Sequence, residues 1–314
     1  MAALLGIDIG GTNVKAALVS EDGAVLSFVS AGWSGGGPDE AVAVASRLAD
    51  ELTAGADVVP AACGCACAGL VQTGAGVVRS SPNLPTWKDV TLSGMLSDAL
   101  GLAVWLENDA NAAAYAEFHV GAARGAENAV MLTVGTGVGG GIVVGGRLYR
   151  GSHGTAGEIG HSTVDTDGPE CACGSRGCLE RLANAEAVVA RALELIGSGR
   201  PSTLAGRAGD GALSSSAVGR AASEGDPVAV EALAGVGRVL GVGLANVAQV
   251  LDPDVIVVGG GVAEAGEPLL GPAREEMNAR LSGCEFRAPR LVAAALGETA
   301  GVVGAALLAL ESLP

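Results

Sequence analysis

The sharpest chemical signal in the sequence is a group of cysteines that follows one histidine. Cys171, Cys173 and Cys178 fall within a run of eight residues, and His161 stands shortly before them. Three thiolates and one imidazole form the ligand set of a closed, tetrahedral structural zinc site. Two glycines inside the cysteine run give the chain the freedom to fold back so that the sulfurs converge. We therefore predict zinc on these four residues; the alternative is reduced cysteines in a loop.

Three glycine-rich turns follow apolar segments and could bring backbone N–H groups close to phosphate oxygens. They are Gly10-Gly11-Thr12, Gly135 to Gly141 and Gly259 to Gly261. The first two also carry a threonine hydroxyl. The second contains a formal G-x-G-x-x-G pattern, but a strand rather than a helix is predicted to follow, which excludes a Rossmann dinucleotide site. One such turn could be an ordinary hairpin, whereas three predict a phosphate-binding site.

Two carboxylates stand where they could act on a phosphoryl group. Asp8 directly precedes the first glycine turn and would repel phosphate, so we expect it to orient Mg²⁺ through water. Asn108-Asp109 lies between a buried strand and an alanine-rich helix, where α/β proteins bind ligands. The helix dipole favours ionised Asp109, ready to accept a proton. Taken singly, Asp8 could be a turn residue and Asp109 a helix N-cap.

Glu158, His161 and Glu180 flank the cysteine run. Carboxylates held beside a metal-braced loop are good acceptors for the hydroxyl groups of a sugar, although they could also be solvated loop charges. His119 and His153 stand in no comparable context. The sequence therefore favours a polar ligand near the cysteine run.

Short apolar segments must position these groups. Strands are predicted at residues 3–7, 14–19, 24–29, 58–68, 102–106, 130–134, 142–144, 147–149 and 255–258, and helices at 39–53, 110–120, 183–196, 226–251, 267–281 and 300–310. Residues 151–182 are predicted to be irregular and residues 197–216 to form a surface excursion. The strand–turn–strand–turn–strand order at 3–29 recurs at 130–149, which indicates two related halves that share a cleft.

Three further cysteines are predicted to belong to the hydrophobic core. Cys63, Cys65 and Cys67 alternate along a strand, which places them on one face of it.

Composition narrows the class of protein. A chain of 314 residues with 49% hydrophobic residues has enough apolar material for about two domains and is not intrinsically disordered. The formal net charge is −16, and Lys15 and Lys88 are the only lysines. So acidic a chain is a poor non-specific binder of nucleic acid or anionic membrane. Bound phosphate must therefore be held mainly by backbone N–H groups, helix ends or a metal ion.

The N-terminal residues have no basic region before their apolar stretch, which argues against a signal peptide. The apolar segment at residues 300–310 is too short to span a bilayer, which needs about 20 residues. Seven cysteines, an odd number, favour metal ligation over a secreted disulfide framework. We therefore expect a soluble, cytoplasmic protein.

Five motifs in order resemble the ROK family (repressor, open reading frame, kinase), most closely its bacterial ATP-dependent glucokinases. They are Asp8–Thr12, Leu106–Asn111, Gly135–Gly139, Ala156–His161 and Cys171–Glu180. The resemblance spans nearly the whole chain. It implies an α/β, actin/hexokinase-like (ribonuclease H-like) duplicated two-domain fold with a ligand cleft between the domains.

The resemblance also implies where the domains lie. Residues 1–109 and 298–314 would form a small α/β domain that carries the first phosphate hairpin and the catalytic aspartate at its edge. Residues 110–297 would form a large α/β domain with the second phosphate hairpin, the zinc loop and the nucleoside-side glycine turn.

The implied reaction is transfer of the γ-phosphate of ATP to the 6-hydroxyl of glucose, giving glucose 6-phosphate. Asp109 would be the general base, Asp8 would position Mg²⁺, and zinc would be structural on His161, Cys171, Cys173 and Cys178. The sugar would be held by Asn83, Asn108, Asp109, Glu158, His161 and Glu180. ATP would be held by Asp8, Gly10, Gly11, Thr12, Lys15, Thr136, Gly137, Gly259, Gly260 and Gly261.

Two departures from the family pattern leave the acceptor open. No proline flanks Ala68-Gly69-Leu70, where the family often has Pro-Gly-Pro, and Pro85-Thr86-Trp87 replaces the usual Pro-Gly-Trp. The alternatives are mannose, N-acetylglucosamine, N-acetylmannosamine or a sugar-like cyclitol. Polyphosphate is a less favoured phosphoryl donor than ATP, because a long polyanion needs a basic groove and the chain has only two lysines.

A sugar-sensing regulator is a remoter alternative. ROK repressors carry a DNA-binding segment before the kinase-like part, and here the first glycine turn begins at residue 10. We expect a small-molecule sugar and ATP as ligands, no nucleic-acid or membrane partner, and a homodimer or homotetramer.

Overall fold

A computed structural model describes residues 3–54, 58–209, 211–283 and 288–312. The strands are β1 (Ala3–Ile9), β2 (Asn13–Ser20), β3 (Val25–Gly32), β4 (Ala62–Cys67), β5 (Leu70–Gln72), β6 (Val77–Ser80), β7 (Lys88–Val90), β8 (Val104–Asn108), β9 (Ala129–Val134), β10 (Val138–Val144), β11 (Arg147–Leu148), β12 (Val255–Gly259) and β13 (Arg290–Ala293). The helices are α1 (Pro38–Ala54), α2 (Leu92–Leu100), α3 (Asp109–His119), α4 (Leu179–Ala183), α5 (Ala185–Gly197), α6 (Ala205–Gly209), α7 (Ser215–Ser223), α8 (Pro227–Leu251), α9 (Glu267–Arg280) and α10 (Ala300–Glu311). Cys284 lies outside the described residues.

The chain divides into two compact units. The first comprises Met1–Gly125, Gly141–Gly157 and Ala295–Pro314, and the second comprises Ala126–Gly140 and Glu158–Ala294. These boundaries do not coincide with the ones predicted after residues 109 and 297. The difference arises because α3 packs against α10 and so belongs with the first unit.

The first unit is built on a sheet with strand order β3-β2-β1-β4-β8. β1, β2 and β3 pair antiparallel as a meander, while β4 and β8 extend the sheet in parallel with β1. The parallel register pairs Ile9 with Cys67 and Cys67 with Asn108. The carboxyl ends of β1, β4 and β8 therefore meet at one edge of the sheet, which brings the segments that carry Asp8 and Asp109 together.

Helix α10 lies directly on this sheet because glycines remove the side chains between them. A Cβ on Gly6 would lie 2.0 Å from the carbonyl oxygen of Val302, and one on Gly64 would lie 1.9 Å from that of Ala305. In α10 itself, a Cβ on Gly304 would lie 1.8 Å from the carbonyl oxygen of Ala112 in α3. Backbone-to-backbone packing thus ties α10 to both the sheet and α3.

A second sheet has strand order β11-β10-β9-β12-β13. β12 runs parallel to β9 and to β13. The second glycine segment, predicted as a turn over residues 135–141, is a turn only at Gly135–Gly137, because β10 already begins at Val138. Gly141 lies inside that strand, where a Cβ would lie 2.5 Å from the Cβ of Ala114. The strand after the turn agrees with the exclusion of a Rossmann site.

Helix α8 is the core helix of the second unit. Asp226 caps it by accepting hydrogen bonds from the N–H groups of Val228 and Ala229, each over 3.0 Å. Within the described part of the chain, it is the one helix long and apolar enough to cross a membrane, whereas the sequence analysis considered only residues 300–310. Most of its apolar window is buried, and it packs against α4, α5, α7 and α9. Its apolar surface is therefore used inside the unit.

The elements between residues 70 and 100 were not predicted from the sequence. A small antiparallel sheet, β5-β6-β7, and helix α2 occupy this region. Strands of three or four residues contain too few positions to display a period, so only their pairing partners define them. The predicted excursion at 197–216 contains the short helix α6 and the start of α7.

Candidate active site and metal centre

Asp109 is the first residue of α3, directly after β8, and its neighbours fix its carboxylate. Asn108 is the N-cap of α3, and its Oδ1 accepts a hydrogen bond from the N–H of Asn111 over 3.0 Å. The Nδ2 of Asn108 donates to Oδ1 of Asp109 over 3.1 Å and to the carbonyl oxygen of Gly69 over 3.0 Å. The same Asp109 oxygen accepts the N–H of Ala110 over 2.9 Å. The carboxylate is thus held at a helix N-terminus, at the strand-end edge of the sheet.

The local environment shifts the titration of both carboxylates. Burial raises the pKa of Asp109 above its ordinary value, although hydrogen bonds from Ala110 and Asn108 oppose the shift. Burial, followed by the negative charge of Asp109, raises the pKa of Asp8 to about 6, while Lys15 lowers it. Lys15 faces Asp8 across the β1–β2 ladder and donates from Nζ to the carbonyl oxygen of Glu298 over 3.2 Å. Raised pKa values make both groups better proton acceptors, and they favour a nearby cation.

The first glycine turn is packed against the segment that carries Asn83. A Cβ on Gly11 would lie 3.2 Å from the carbonyl oxygen of Asn83. Gly10 closes the turn with an N–H donated to Asn13 over 3.0 Å, and its own carbonyl oxygen accepts Nε1 of Trp33 over 2.9 Å. The structure thus brings Asn83 to the predicted phosphate turn.

The second glycine turn is anchored to α4 and α5 within the second unit. Nδ2 of Asn184 donates to the carbonyl oxygen of Thr136 over 3.0 Å. Glu180 in α4 accepts the N–H of Val138 on Oε2 over 3.0 Å. A Cβ on Gly137 would lie 2.6 Å from that same carboxylate oxygen. Glu180 therefore lies against the predicted phosphate turn.

The third glycine turn, at the end of β12, has one residue in open space. Gly259 is the last residue of the strand, and a Cβ there would lie 2.9 Å from the Cβ of Ala294. Gly260 has a φ of +87°, and a Cβ on it would lie 2.5 Å from the carbonyl oxygen of Val134. Gly261 has no atom within 4 Å of its Cβ position. Packing explains the first two glycines, so Gly261 is the one with room for a ligand.

The four predicted zinc ligands converge. One ligand atom from each of His161, Cys171, Cys173 and Cys178 lies within 4.8 Å of the others. The Sγ atoms of Cys173 and Cys178 are 3.7 Å apart, and Sγ of Cys171 is 3.7 Å from Nδ1 of His161. With a zinc–sulfur distance of about 2.3 Å, two sulfurs of a tetrahedron are separated by about 3.8 Å. The spacing therefore fits a tetrahedral ion and is far too long for a disulfide.

Glycines allow the loop to close, as the sequence predicts. Gly174 and Gly177 have φ angles of +89° and +61°. The N–H of Gly174 donates to Cys171 over 3.0 Å, and that of Gly177 donates to Pro169 over 2.8 Å. A Cβ on Gly177 would lie 1.5 Å from the carbonyl oxygen of Asp165, so no other residue fits there.

The two ring nitrogens of His161 face different groups. Nδ1 lies toward the cysteine sulfurs, whereas Nε2 is 3.8 Å from Oε2 of Glu158. An imidazole that binds a metal through one nitrogen commonly has its other nitrogen fixed by a carboxylate or another polar group. One side chain can therefore serve the metal site and a polar ligand together.

The predicted site residues fall into two groups, one in each unit. The first unit holds Asp8, Gly10, Gly11, Thr12, Lys15, Asn83, Asn108 and Asp109. The second holds Thr136, Gly137, Glu158, His161, Glu180, Gly259, Gly260 and Gly261, with the cysteines. Two contacts at the site were not predicted from the sequence: Gly69 accepts a hydrogen bond from Asn108, and Arg150 donates one to Glu107. The one available signal in the sequence is an acidic residue, Glu107, directly after the apolar run of β8.

The comparisons with known proteins cover the full chain. The profile of the ROK family matches residues 4–312. The glucokinase of Streptomyces coelicolor is 36% identical over 328 residues, covering 100% of this chain and 99% of its own length. The chain belongs to the ROK family. The glucokinase of Thermotoga maritima, a further ROK-like relative, is 36% identical over 314 residues, covering 99% of this chain and 98% of its own.

A solved structure supports the same assignment. The ROK family glucokinase of Streptomyces griseus, in complex with glucose and AMPPNP, superposes with a TM-score of 0.88 at 37% identity. The match covers 99% of this chain and 100% of that one. The predicted family and the predicted α/β, actin/hexokinase-like fold are both confirmed.

Proposed function

We propose that this ROK family protein is an ATP-dependent glucokinase that transfers the γ-phosphoryl group to the 6-hydroxyl of glucose. One observation carries the proposal. In a chain whose full-length relatives include glucokinases, Asp109 lies at the β8–α3 junction with its carboxylate oriented by Asn108 and Ala110. This is the placement expected for the group that takes a proton from an acceptor hydroxyl.

Asp109 acts as the general base. Burial raises its pKa, which increases its affinity for the proton of the acceptor hydroxyl. General-base catalysis of this kind is worth about 10²–10⁴-fold in rate. Asn108 keeps one Asp109 oxygen occupied, which leaves the other to face the hydroxyl.

The phosphates of ATP are held mainly by backbone groups. The turns at Gly10–Thr12 and at Thr136–Gly137 supply N–H donors, since the chain has few cations to offer. Lys15 is a cation near the first turn, and Gly261 leaves room beside the third. The acidic residue Asp8, with its pKa raised to about 6, fits a site for Mg²⁺. When bound, Mg²⁺ supplies positive charge that neutralises the phosphate oxygens.

The proposed sugar ligands are all polar side chains. Asn83 and Asn108 belong to the first unit, and Glu158, His161 and Glu180 belong to the second. Glu180 has a second task, because it accepts the N–H of Val138 beside the second glycine turn. Sugar and phosphate binding thus share one carboxylate.

Zinc braces the loop that carries His161. The distances among His161, Cys171, Cys173 and Cys178 suit the ion, and the ligand set is that of a structural site. Bound zinc supplies rigidity to this loop. Because Nδ1 faces the sulfurs, Nε2 stays available to Glu158 and to a sugar hydroxyl.

The test is ADP release with ATP and Mg²⁺ across hexoses, amino sugars and cyclitols. We expect glucose to be the best acceptor and Asp109→Asn to lose at least about a hundredfold in kcat. Asp98→Asn is the matched control, because Asp98 is an exposed aspartate on α2 and is not one of the proposed site residues. Turnover on mannose, an N-acetylhexosamine or a cyclitol alone would change the assigned acceptor but leave Asp109 as the assigned general base. No turnover by a folded, zinc-loaded protein would overturn the proposal.

The proposal extends to the localisation, the oligomeric state and the partners of the enzyme. We place it in the cytoplasm as a homodimer or homotetramer, with a sugar and ATP as its ligands and neither nucleic acid nor membrane as a partner. The formal charge of −16 supports the last two points.

A further inference from the structure

A buried ion pair stands directly beside the proposed base. Glu107 is 1% exposed and immediately precedes Asn108 in β8. Nε of Arg150 donates to its Oε2 over 2.7 Å. Arg150 also lies over the ring of Trp105, 5.9 Å from the ring centroid. A buried carboxylate is costly without a charged or hydrogen-bonding partner, and Arg150 is the ion-pair partner of Glu107.

The other oxygen of Glu107 collects hydrogen bonds from the segment that carries the base. Oε1 accepts the N–H of Asn108 over 3.0 Å and Nδ2 of Asn111 over 3.1 Å. It also accepts the hydroxyl of Thr73 over 3.4 Å. Asn108 and Asn111 are the N-cap residue of α3 and its partner in the first turn. The Glu107 carboxylate therefore holds both Asn108 and Asn111, the two residues that the N-cap hydrogen bond joins, and Asn108 in turn orients Asp109.

Arg150 also ties this network to a loop. Its carbonyl oxygen accepts the N–H of Ala156 over 3.0 Å, which closes the segment 150–156. Two residues further along the chain stands Glu158, a proposed sugar ligand. Arg150 therefore holds two segments. Its guanidinium binds Glu107 in β8, the strand that leads to Asp109, and its carbonyl oxygen holds the start of the loop that leads to Glu158.

We propose that Glu107 and Arg150 are positioning residues of the phosphoryl transfer, with the ionised pair holding Asn108 and thus Asp109 in place. The inference rests on the proposed function. Neither residue is among the proposed ligands of the sugar or of ATP. Arg150 neutralises Glu107, Glu107 fixes the N–H of Asn108 and the amide of Asn111, and Asn108 orients the carboxylate of Asp109.

Removing one charge and then both distinguishes positioning from simple packing. In Arg150→Met, Glu107 stays buried but loses its ion-pair partner, so the hydrogen bonds that it accepts from Asn108 and Asn111 are disturbed. We expect kcat/KM for glucose to fall about tenfold or more, with a lower kcat and an unchanged KM for ATP. In the double variant Glu107→Gln with Arg150→Met, a neutral amide oxygen still accepts from Asn108 and needs no cation. We expect it to recover most of the loss.

The control is Arg147→Met. Arg147 is exposed on β11, three residues before Arg150, and is not among the hydrogen-bond and ion-pair partners that the described residues give Glu107. We expect wild-type kinetics from it. Arg150→Lys keeps the charge and should fall between wild type and Arg150→Met. A double variant no better than Arg150→Met, or kcat losses that merely follow the fraction of unfolded protein, would overturn the proposal.

A readout independent of turnover separates this inference from the proposed function. Backbone hydrogen exchange over residues 105–115 reports directly on the N–H groups of the cap. Exchange there should be faster in Arg150→Met and return toward wild type in the double variant. Unchanged exchange would overturn the positioning role even if glucose is phosphorylated. Changed exchange in a protein that phosphorylates nothing would overturn the proposed function and leave the structural link intact.

Discussion

The side-chain nitrogen of Asn108 donates a hydrogen bond to the carboxylate of Asp109 over 3.1 Å, while the oxygen of the same amide caps helix α3. A single side chain therefore starts the helix and orients the first carboxylate in it. These two tasks use different atoms, so substitutions can separate them.

Asn108→Ser should keep the cap but lose the bond to Asp109. We expect the free energy of unfolding to stay near that of wild type, because serine is a good N-cap residue. Asn108→Ala should lose both functions and cost about 0.5–2 kcal/mol in stability. Both variants should lose kcat on glucose. Urea unfolding beside steady-state kinetics tests this, and full activity in the serine variant would contradict it.

Gly137→Ala should damage activity with little effect on stability. The new methyl group would lie 2.6 Å from Oε2 of Glu180, the free end of a side chain that can move away. Displacing Glu180 breaks its bond to Val138 and disturbs a proposed sugar ligand. We expect kcat/KM to fall roughly tenfold. The control Gly206→Ala, in open space on α6, should leave kinetics unchanged.

Gly304→Ala should be among the more destabilising single-methyl changes in the first unit. The added Cβ would lie 1.8 Å from the backbone oxygen of Ala112, which cannot move without shifting α3. Overpacking of this kind costs about 1–3 kcal/mol or more. Gly94→Ala is the matched control: it is helical and in open space, so it should gain about 0.5–1 kcal/mol. Thermal unfolding tests this, and equal changes of Tm in Gly304→Ala and Gly94→Ala would contradict the packing argument.

The raised pKa of Asp8 makes stability fall as pH rises. Its pKa is about 6 in the folded chain and 3.8 in its ordinary state, so between these values the folded protein holds a proton that the unfolded chain has lost. The contribution of Asp8 to stability is thus full below about pH 4 and lost above pH 6, a difference of about 1–3 kcal/mol. Asp8→Asn should exceed wild type in Tm at pH 8 and match it at pH 4, without Mg²⁺ or ATP. Equal Tm values at pH 8 would contradict the shift.

Metal content tests the zinc site. We expect about one zinc per chain by elemental analysis, and its loss in Cys171→Ser, with a lower Tm, because ligand removal opens a closed structural site. Cys67→Ala is the control, since Cys67 is a buried cysteine of β4 outside the Cys/His cluster. It should keep the metal. Zinc retained in Cys171→Ser, or absent from wild type, would contradict the assignment.

Features encoded by near neighbours could be predicted from the sequence. The four predicted zinc ligands fall between residues 161 and 178, and glycines inside that stretch let them meet. Asp226 and Pro227 mark the start of α8, and the glycine turns mark the ends of β1 and β9. Each of these depends on ligand chemistry or backbone conformation over a few residues. The family and the fold class followed from the order of such motifs.

Short elements were missed for a physical reason. β5, β6 and β7 exist because they pair with one another, and three or four residues carry no period of their own. Gly139 to Gly141 were assigned to a turn because glycine is common in turns. They lie in β10 instead, where Gly141 lets the strand approach α3.

Only the tertiary structure decided which distant residues support the site. Glu107 and Arg150 are separated by 43 residues, Gly69 and Asn108 by 39, and Val138 and Glu180 by 42. None of these pairs has a local signature, because their contact depends on which strands are neighbours and on how closely glycines let backbones approach. The sequence determines which groups can do chemistry, and strand order and packing determine which partners hold them in place.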